Sequence, residues 1–230
     1  MPVIFGHRGF SALEPENTLR AFNRAFKEGA QGIEFDVRLT ADNEIVIIHD
    51  ETIDRTSNGS GFVKNFTLSE LLKFNFGFGE KIPTLEDIVK LFGNKYWLNI
   101  EVKEIGFEKQ IFEIIEKHQL ITKYVISSFQ FPIINTIKEL NINIPTALLY
   151  ANKRYQLKEL KKLAQINDIH PEQHLLSKSL ISSAHKLNMM VRAWTIDNPE
   201  TAYFLAKMGI DGIITNNPKQ IILFLLKKKR

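Results

Sequence analysis

Short apolar runs alternate with amphipathic segments along nearly the whole chain. Leu19, Phe22 and Phe26, for example, recur at the three-to-four-residue spacing of a helix. The pattern predicts strands at residues 3–9, 32–40, 96–103, 124–129, 145–150, 168–174, 189–197 and 212–215, of which the sixth is the weakest. Helices are predicted to begin near Asn17, Thr84, Phe107, Pro132, Tyr155, Ser177, Asn198 and Pro218. Eight strand–helix units with short connections predict an α/β fold, a closed parallel TIM (β/α)8 barrel, rather than an open sheet.

One segment departs from this alternation. After the strand-like run at residues 45–49, residues 51–83 contain a turn-rich stretch at 56–61 and a Phe-Gly stretch at 74–79. A stretch of this length is too long for an ordinary connection between barrel elements. We therefore predict that residues 1–230 form one barrel domain, with residues 51–83 as a small subdomain inserted after the second strand region.

Composition narrows the class of protein. Of the 230 residues, 44% are hydrophobic and 24% are charged, as in ordinary globular proteins. The absence of cysteine excludes disulfides, thiolate metal ligands and a cysteine nucleophile. No apolar run reaches the roughly 20 residues needed to cross a bilayer, so we expect no stable membrane insertion. Since the chain enters its first strand almost at once, without a signal segment, we expect a cytoplasmic location.

The net charge of +4 could indicate nucleic acid or phosphate as a partner. Much of the excess, however, lies on one predicted helix and in the basic tail at residues 227–230. Clustered lysines in such places usually serve solubility. We therefore predict no nucleic-acid partner.

Acidic residues follow two otherwise apolar strands. Glu34 and Asp36 are two residues apart, as are Glu101 and Lys103, so each pair shares one face of its strand. A single Glu-x-Asp pair is most often a surface or salt-bridged feature, but charges on two successive apolar strands need compensation. Three carboxylates meeting at a barrel mouth would suit one hard divalent cation, Mg²⁺ or Ca²⁺.

Two histidines and two cations occupy the ends of neighbouring apolar runs. His7 and His49 could exchange protons near neutral pH, whereas Arg8 and Lys103 could neutralise a phosphate. A structural pairing of Lys103 with Glu101 is the main alternative for that lysine. The remaining histidines are interpreted as structural or surface residues, namely His118, His170, His174 and His185.

An ordered set of motifs covers essentially the whole chain. It comprises His7-Arg8-Gly9, Glu16-Asn17-Thr18, Glu34-x-Asp36, Thr40-x-Asp42, His49-Asp50, Thr56, Gly61, Ile82-Pro83-Thr84-Leu85, Asn99-x-Glu101-x-Lys103, Ser128-Phe129, Trp194-Thr195 and Gly212-Ile213-Ile214-Thr215. Each motif is weak alone, but the ordered set resembles the glycerophosphodiester phosphodiesterase family. Asn216 departs from the aspartate often found after the last threonine in that family; both residues occur there.

The resemblance implies a barrel with an inserted subdomain and a set of site residues. His7 and His49 would be the acid/base pair, and the metal ligands would be Glu34, Asp36 and Glu101. Phosphate would be held by Arg8 and Lys103, with Trp194 near the substrate. Glu16 and Asn17 would support these residues, although Asn17 could equally be present as a helix cap.

We therefore predict metal-dependent hydrolysis of small glycerophosphodiesters, such as glycerophosphocholine or glycerophosphoethanolamine, to sn-glycerol 3-phosphate and an alcohol. One alternative is a phospholipase resembling lysophospholipase D or sphingomyelinase D. A second is a non-catalytic barrel that binds a phosphate ligand. The preferred head group, the choice between Mg²⁺ and Ca²⁺, the division of roles between the histidines and the oligomeric state stay open.

Overall fold

Eight parallel strands close into a barrel in the computed structural model, which describes residues 1–151 and 155–229. In chain order the strands are β1 (Val3–His7), β2 (Gly32–Leu39), β3 (Ile45–Ile47), β4 (Trp97–Val102), β5 (Tyr124–Ser128), β6 (Thr146–Tyr150), β7 (Asp168–Pro171), β8 (Met190–Ala193) and β9 (Gly212–Thr215). The barrel closes because β1 pairs with both β2 and β9, while β3 lies antiparallel against the outer part of β2. The predicted TIM-barrel fold is confirmed.

Helices follow most of the strands. They are α1 (Leu19–Lys27), α2 (Leu68–Leu71), α3 (Leu85–Phe92), α4 (Glu108–Lys117), α5 (Phe131–Leu140), α6 (Leu157–Ala164), α7 (Lys178–Lys186), α8 (Pro199–Met208) and α9 (Pro218–Lys229), with 3-10 turns at Val63–Asn65 and Gln173–Leu175. Among the described helices, none is long and apolar enough to cross a membrane. Arg230, counted in the basic tail, lies outside the described residues.

Several predicted strands extend beyond the observed strand ends. The weak sixth strand is present but ends at Pro171, and the strand predicted to reach residue 197 ends at Ala193. Asn17 does not cap α1, because the hydroxyl of Thr18 accepts the hydrogen bond from Ala21 N. Asn17 has instead a positive φ of 58° and lies in the loop that returns toward the barrel mouth.

Alternation along β2 separates the apolar core from the charged site. Phe35 and Val37 pack outward into the hydrophobic cluster between barrel and helices, where Phe22 of α1 lies 5.9 Å from Phe35 between ring centroids. Glu34 and Asp36 project from the opposite face, into the barrel. The same strand therefore supplies both the core and the acidic residues.

Residues 51–83 lie against β3 and share a small hydrophobic core with it. It contains Val46, Ile48, Ile53, Val63, Leu71, Phe76 and Ile82. Thr67 and Glu70 form a capping box that starts the short helix α2. The interpretation of this segment as a subdomain inserted in a single barrel domain stays a prediction, and it is supported by a hydrophobic cluster distinct from the two larger ones.

Replacing Phe22 with alanine should lower the free energy of unfolding by about 3–5 kcal/mol, because a fully buried ring would leave a cavity. Urea denaturation measures this difference. Phe204→Ala is the matched control: Phe204 is 58% exposed, and its removal should change stability by no more than about 0.5 kcal/mol. Equal losses for the two variants would contradict the assignment of Phe22 to the core.

Candidate active site

Three carboxylates meet inside the mouth of the barrel. Glu34 and Asp36 point inward from β2, and the register that pairs Asp36 with Glu101 brings the third carboxylate in from β4. One oxygen from each lies within 4.8 Å of the others, and all three residues are buried. Within the described residues, Glu34 Oε1 and Asp36 Oδ1 have no hydrogen-bond partner.

Two of the three carboxyl groups have raised pKa values. Burial, reinforced by Asp36, raises the pKa of Glu34 to about 8 and that of Glu101 to about 7. Burial also acts to raise the pKa of Asp36, but Lys103 and Arg8 outweigh it and lower that pKa. Clustered, incompletely hydrogen-bonded oxygen donors of this kind are compatible with a divalent metal site.

Arg8 stands beside these carboxylates at the end of β1. Its Nε lies 3.4 Å from Asp36 Oδ2, and its backbone N–H donates to Glu34 Oε2 at 3.0 Å. The residue has a φ of 53°, a left-handed conformation that an arginine adopts only at some cost. The loop thus holds both the backbone and the side chain of Arg8 toward the acidic cluster.

Lys103 follows β4 on the same face as Glu101. Its Nζ lies 2.5 Å from Glu101 Oε1 and 3.4 Å from Asp36 Oδ1. Burial acts to lower the pKa of Lys103, but Glu101 and Asp36 outweigh it and raise that pKa. The pairing with Glu101 considered from the sequence is therefore present, and it places the ammonium group at the barrel mouth.

His7, the last residue of β1, reaches the cluster from the other side. Its Nδ1 lies 2.7 Å from Asn216 Oδ1, and its Nε2 lies 3.8 Å from Glu34 Oε2. The orientation of the Asn216 amide is set by Asp197, because Nδ2 donates to a carboxylate oxygen at 2.6 Å. Asn216 can then only accept from Nδ1–H, which leaves Nε2 toward the carboxylates. Burial lowers the pKa of His7, favouring the neutral ring.

His49 follows β3 and is held through its backbone and its ring. Arg38 Nε donates to the backbone carbonyl oxygen of His49 at 2.9 Å. The preceding residue, Ile48, donates its backbone N–H to the backbone carbonyl oxygen of Asp36 at 3.0 Å. The ring Nδ1 lies 2.6 Å from Asp50 Oδ1. Burial lowers the pKa of His49 as well.

Glu16 and Asn17, predicted as supporting residues, both contact the site. Glu16 Oε1 accepts from Arg8 Nη1 at 2.9 Å, and Asn17 Nδ2 donates to Asp36 Oδ2 at 2.9 Å. Sequence reasoning did not assign roles to Asp197 or Arg55, although both are bonded to the partners of site residues. No local pattern distinguishes either residue, because their partners lie far away in sequence.

An aromatic pair lies on another part of the mouth. Trp194 Nε1 donates to the carbonyl oxygen of His170 at 2.7 Å, and its ring meets that of Phe129 edge-on at 5.4 Å. Phe129 is 43% exposed, and the Nζ of Lys103 lies 5.9 Å from its ring centroid. Phe129 therefore contacts Trp194 and lies close to Lys103, and a position of Trp194 near the substrate stays a prediction.

The other histidines have different surroundings. His118 and His185 each lie 2.8 Å from a carboxylate oxygen, of Glu86 and Asp211 respectively. The remaining two are the exposed His174 and the fully buried His170, where burial lowers the ring pKa to about 3. In the part of the chain that the structure describes, no hydrogen bond or ion pair joins these four residues to the three carboxylates.

Comparison with known proteins shows the family of this chain. The model of the glycerophosphoryl diester phosphodiesterase family matches residues 7–220. The chain belongs to this family. It is 36% identical over 238 residues to a glycerophosphodiester phosphodiesterase of Caldanaerobacter subterraneus subsp. tengcongensis, with 98% of each protein covered. It is also 40% identical over 235 residues to YhdW of Bacillus subtilis, covering 95% of this chain and 96% of that protein.

A solved structure supports the same conclusion. The Oleispira antarctica phosphodiesterase, in complex with the product sn-glycerol-3-phosphate, superimposes with a TM-score of 0.89 at 26% identity, covering 98% of this chain and 97% of that one. The prediction of an enzyme that hydrolyses glycerophosphodiesters is confirmed by family membership and by these relatives. The alternative of a non-catalytic barrel is set aside.

In metal-free protein, the raised carboxyl pKa values should make stability fall as pH increases. In the folded state these values are about 8 for Glu34 and 7 for Glu101, against an ordinary value of 4.5. Between about pH 5 and 8 the folded protein therefore binds more protons than the unfolded chain, and the free energy of unfolding falls as pH rises. Thermal melting of chelator-treated protein at several pH values measures this decline, and the Glu34→Gln variant is the reference.

Comparison with Glu34→Gln is needed because His7 and His49, with lowered pKa values, contribute the opposite slope in both proteins. The expected result is a melting temperature that drops from pH 5 to pH 8 more steeply in the wild type than in the variant. Parallel curves would show that Glu34 does not retain its proton in the folded protein.

Proposed function

We propose that the acidic cluster, Arg8, Lys103 and the two histidines form the catalytic site for glycerophosphodiester hydrolysis. The observation that carries this proposal is the meeting of three buried carboxylates with an arginine and a lysine at the barrel mouth. Carboxylates in such number would repel a phosphate on their own. A divalent cation held by the carboxylates would offset that repulsion.

The residues present fit a divalent cation. Glu34, Asp36 and Glu101 would hold it, and Mg²⁺ or Ca²⁺ suits their hard oxygen donors. When bound, the cation would polarise the phosphoryl group and stabilise its developing negative charge. Lys103, which is paired with Glu101 in this structure, would offer its ammonium group to the phosphate.

Arg8 and Lys103 would bind the non-bridging phosphate oxygens. The guanidinium of Arg8 is already oriented by Glu16 and Asp36, so little side-chain freedom is lost on binding. The Oleispira relative was solved with sn-glycerol-3-phosphate, which supports a small phosphorylated molecule as ligand here too. Trp194 and Phe129 would pack against the carbon atoms of the substrate.

His7 and His49 would share proton transfer. Each ring hydrogen-bonds a side-chain oxygen through Nδ1, which leaves Nε2 as the atom that exchanges protons with substrate. One histidine would take the proton of the attacking hydroxyl, and the other would protonate the departing alcohol. By analogy with the family, the glycerol itself would supply the attacking hydroxyl, giving a cyclic phosphate that water then opens. The cytoplasmic location expected from the sequence stays a prediction.

Turnover of glycerophosphocholine should require a divalent cation. Exhaustive chelation should abolish formation of sn-glycerol 3-phosphate, and Mg²⁺ or Ca²⁺ should restore it, because the three carboxylates would otherwise repel the substrate. Added cation should also raise the melting temperature of the chelated protein by mass action. Full activity after exhaustive chelation would remove the metal role from these carboxylates.

The same assay separates the phospholipase alternative. A site for water-soluble diesters should turn over glycerophosphocholine with a much higher kcat/KM than lysophosphatidylcholine. The reverse ranking would favour a lysophospholipase D activity and assign the Phe-Gly stretch at 74–79 to the acyl chain. Neither ranking follows from the fold alone.

Alanine at His7 or His49 should reduce kcat by about 10²–10⁴-fold, or roughly 3–5 kcal/mol of barrier, because proton transfer is lost. The cation-induced rise in melting temperature should persist in both variants. A substrate with a nitrophenol leaving group needs little protonation, so it should partly rescue the variant that lacks the acid. His118→Ala is the control and should leave turnover nearly unchanged. Near-normal turnover in either active-site variant would exclude that histidine from catalysis.

A further inference from the structure

Arg55, within residues 51–83, bonds two carboxylates at once. Its Nη1 and Nη2 donate to Glu16 Oε2 and Oε1 at 2.9 and 2.8 Å. Its Nε and Nη2 donate to Asp50 Oδ2 and Oδ1 at 2.6 and 3.1 Å. All three guanidinium nitrogens are therefore engaged, and both carboxylates are held through both of their oxygens. Such paired contacts fix orientation as well as charge.

Each of these carboxylates also contacts a different part of the proposed site. Asp50 Oδ1 lies 2.6 Å from Nδ1 of His49. Glu16 Oε1 accepts from Nη1 of Arg8 at 2.9 Å, and Arg8 in turn lies 3.4 Å from Asp36. Arg55 thus lies at the centre of a series of hydrogen bonds that runs from His49, the proposed proton-transfer group, to Arg8, the proposed phosphate-binding group.

This series of hydrogen bonds has a physical consequence for His49. A carboxylate can only accept, so Asp50 selects the tautomer of the neutral ring that carries its proton on Nδ1. Asp50 is short and stands 29% exposed, and Arg55 is what ties its second oxygen in place. Without that bond, Asp50 can rotate toward solvent and the tautomer is no longer imposed.

The contact of Arg55 with Glu16, the Glu16 arm of this network, has a similar effect on Arg8. Glu16 accepts from both Arg8 and Arg55, and its position decides where the guanidinium of Arg8 points. If Arg55 is removed, Glu16 keeps a single cationic partner and gains freedom. Arg8 then loses part of the rigid support that sets it against Asp36.

We propose that Arg55 is a positioning residue that sets the tautomer of His49 through Asp50 and the orientation of Arg8 through Glu16. The inference rests on the proposed function, which assigns proton transfer to His49 and phosphate binding to Arg8. The bonds that carry it are independent of that function. Lysine could not replace Arg55 fully, because a single ammonium group lacks the planar fork that spans both carboxylates.

The direct test is the ring ¹⁵N NMR spectrum of the full chain, recorded without substrate and with chelator, with His49 assigned by its absence in His49→Ala. Wild type should show the pattern of a neutral ring protonated on Nδ1. Arg55→Ala should shift the His49 signals toward the form protonated on Nε2. Arg20→Ala is a matched control, because Arg20 is 50% exposed against 49% for Arg55 and is likewise paired with a carboxylate, Glu14.

Steady-state kinetics with glycerophosphocholine provide the second readout. Arg55→Ala should lower kcat/KM by about 10–100-fold, the usual cost of losing a partner that orients a functional group. Both parameters should change: kcat falls through His49, and KM rises through Arg8. Arg55→Lys should recover part of the loss in the same folded protein, whereas Arg20→Ala should behave as wild type.

A double variant tests the Glu16 arm. If Arg55 acts on Arg8 through Glu16, then Glu16→Gln should raise KM much less in the Arg55→Ala background than in the wild type. Full additivity of the two changes would overturn that arm.

The results distinguish the inference from the proposed function. A wild-type protein with the Nδ1 signature but no turnover would refute the proposed function, while the NMR comparison would still decide the role of Arg55. If Arg55→Ala and Arg55→Lys retain both the wild-type ring signals and wild-type kinetics, Arg55 does not position the site. If Arg55→Ala melts too low for study, Arg55→Lys decides the question by the same two readouts.

Discussion

The structure depends on keeping three carboxylates together inside a barrel mouth, away from water. Burying like charges is costly, and burial raises the pKa of Glu34 to about 8 and that of Glu101 to about 7 although Lys103 acts to lower both. Arg8 and Lys103 do lower the pKa of Asp36, which lies between them. Clustered oxygen donors that lack full compensation are compatible with a divalent cation, and their burial lowers the stability of the metal-free protein.

The barrel satisfies this constraint through strand alternation and register. On β2, inward-facing acids alternate with outward-facing apolar residues. Phe35, which lies between Glu34 and Asp36, therefore anchors the strand in the hydrophobic core. The pairing of Asp36 with Glu101 then sets the carboxylates side by side. Because the strands are themselves buried and hydrogen-bonded, the acids cannot move apart to relieve their repulsion.

The loops complete the site by supplying partners. The loop after β1 contributes Glu16 and Asn17, while β9 leads into Asn216, which orients His7. Residues 51–83 contribute Arg55 from outside the barrel layers. His7 and Asp36 therefore have hydrogen-bond partners that come from distant parts of the chain, so these contacts form only when the barrel closes.

The pattern of apolar runs was enough to predict the eight-stranded barrel, because period-two and helical spacings are local properties that tertiary packing here leaves intact. It also predicted that Glu34, Asp36 and Glu101 could share a mouth, since side chains two apart face the same way and parallel strand ends meet at one edge. It could not predict which partners orient them. Asn17 illustrates the difference: its identity suited a helix cap, yet Thr18 caps α1 and Asn17 bonds Asp36.

Only the tertiary structure decided the hydrogen bonds of the histidines and the position of Arg55. Asn216 meets His7 across 209 residues of sequence, and Arg55 meets Glu16 across 39. Such contacts depend on barrel closure and loop conformation, which leave no periodic trace in the chain. The sequence by itself determined which chemical groups stand at the strand ends. Folding determined how each is held, because orientation and pKa depend on neighbours that are distant along the chain.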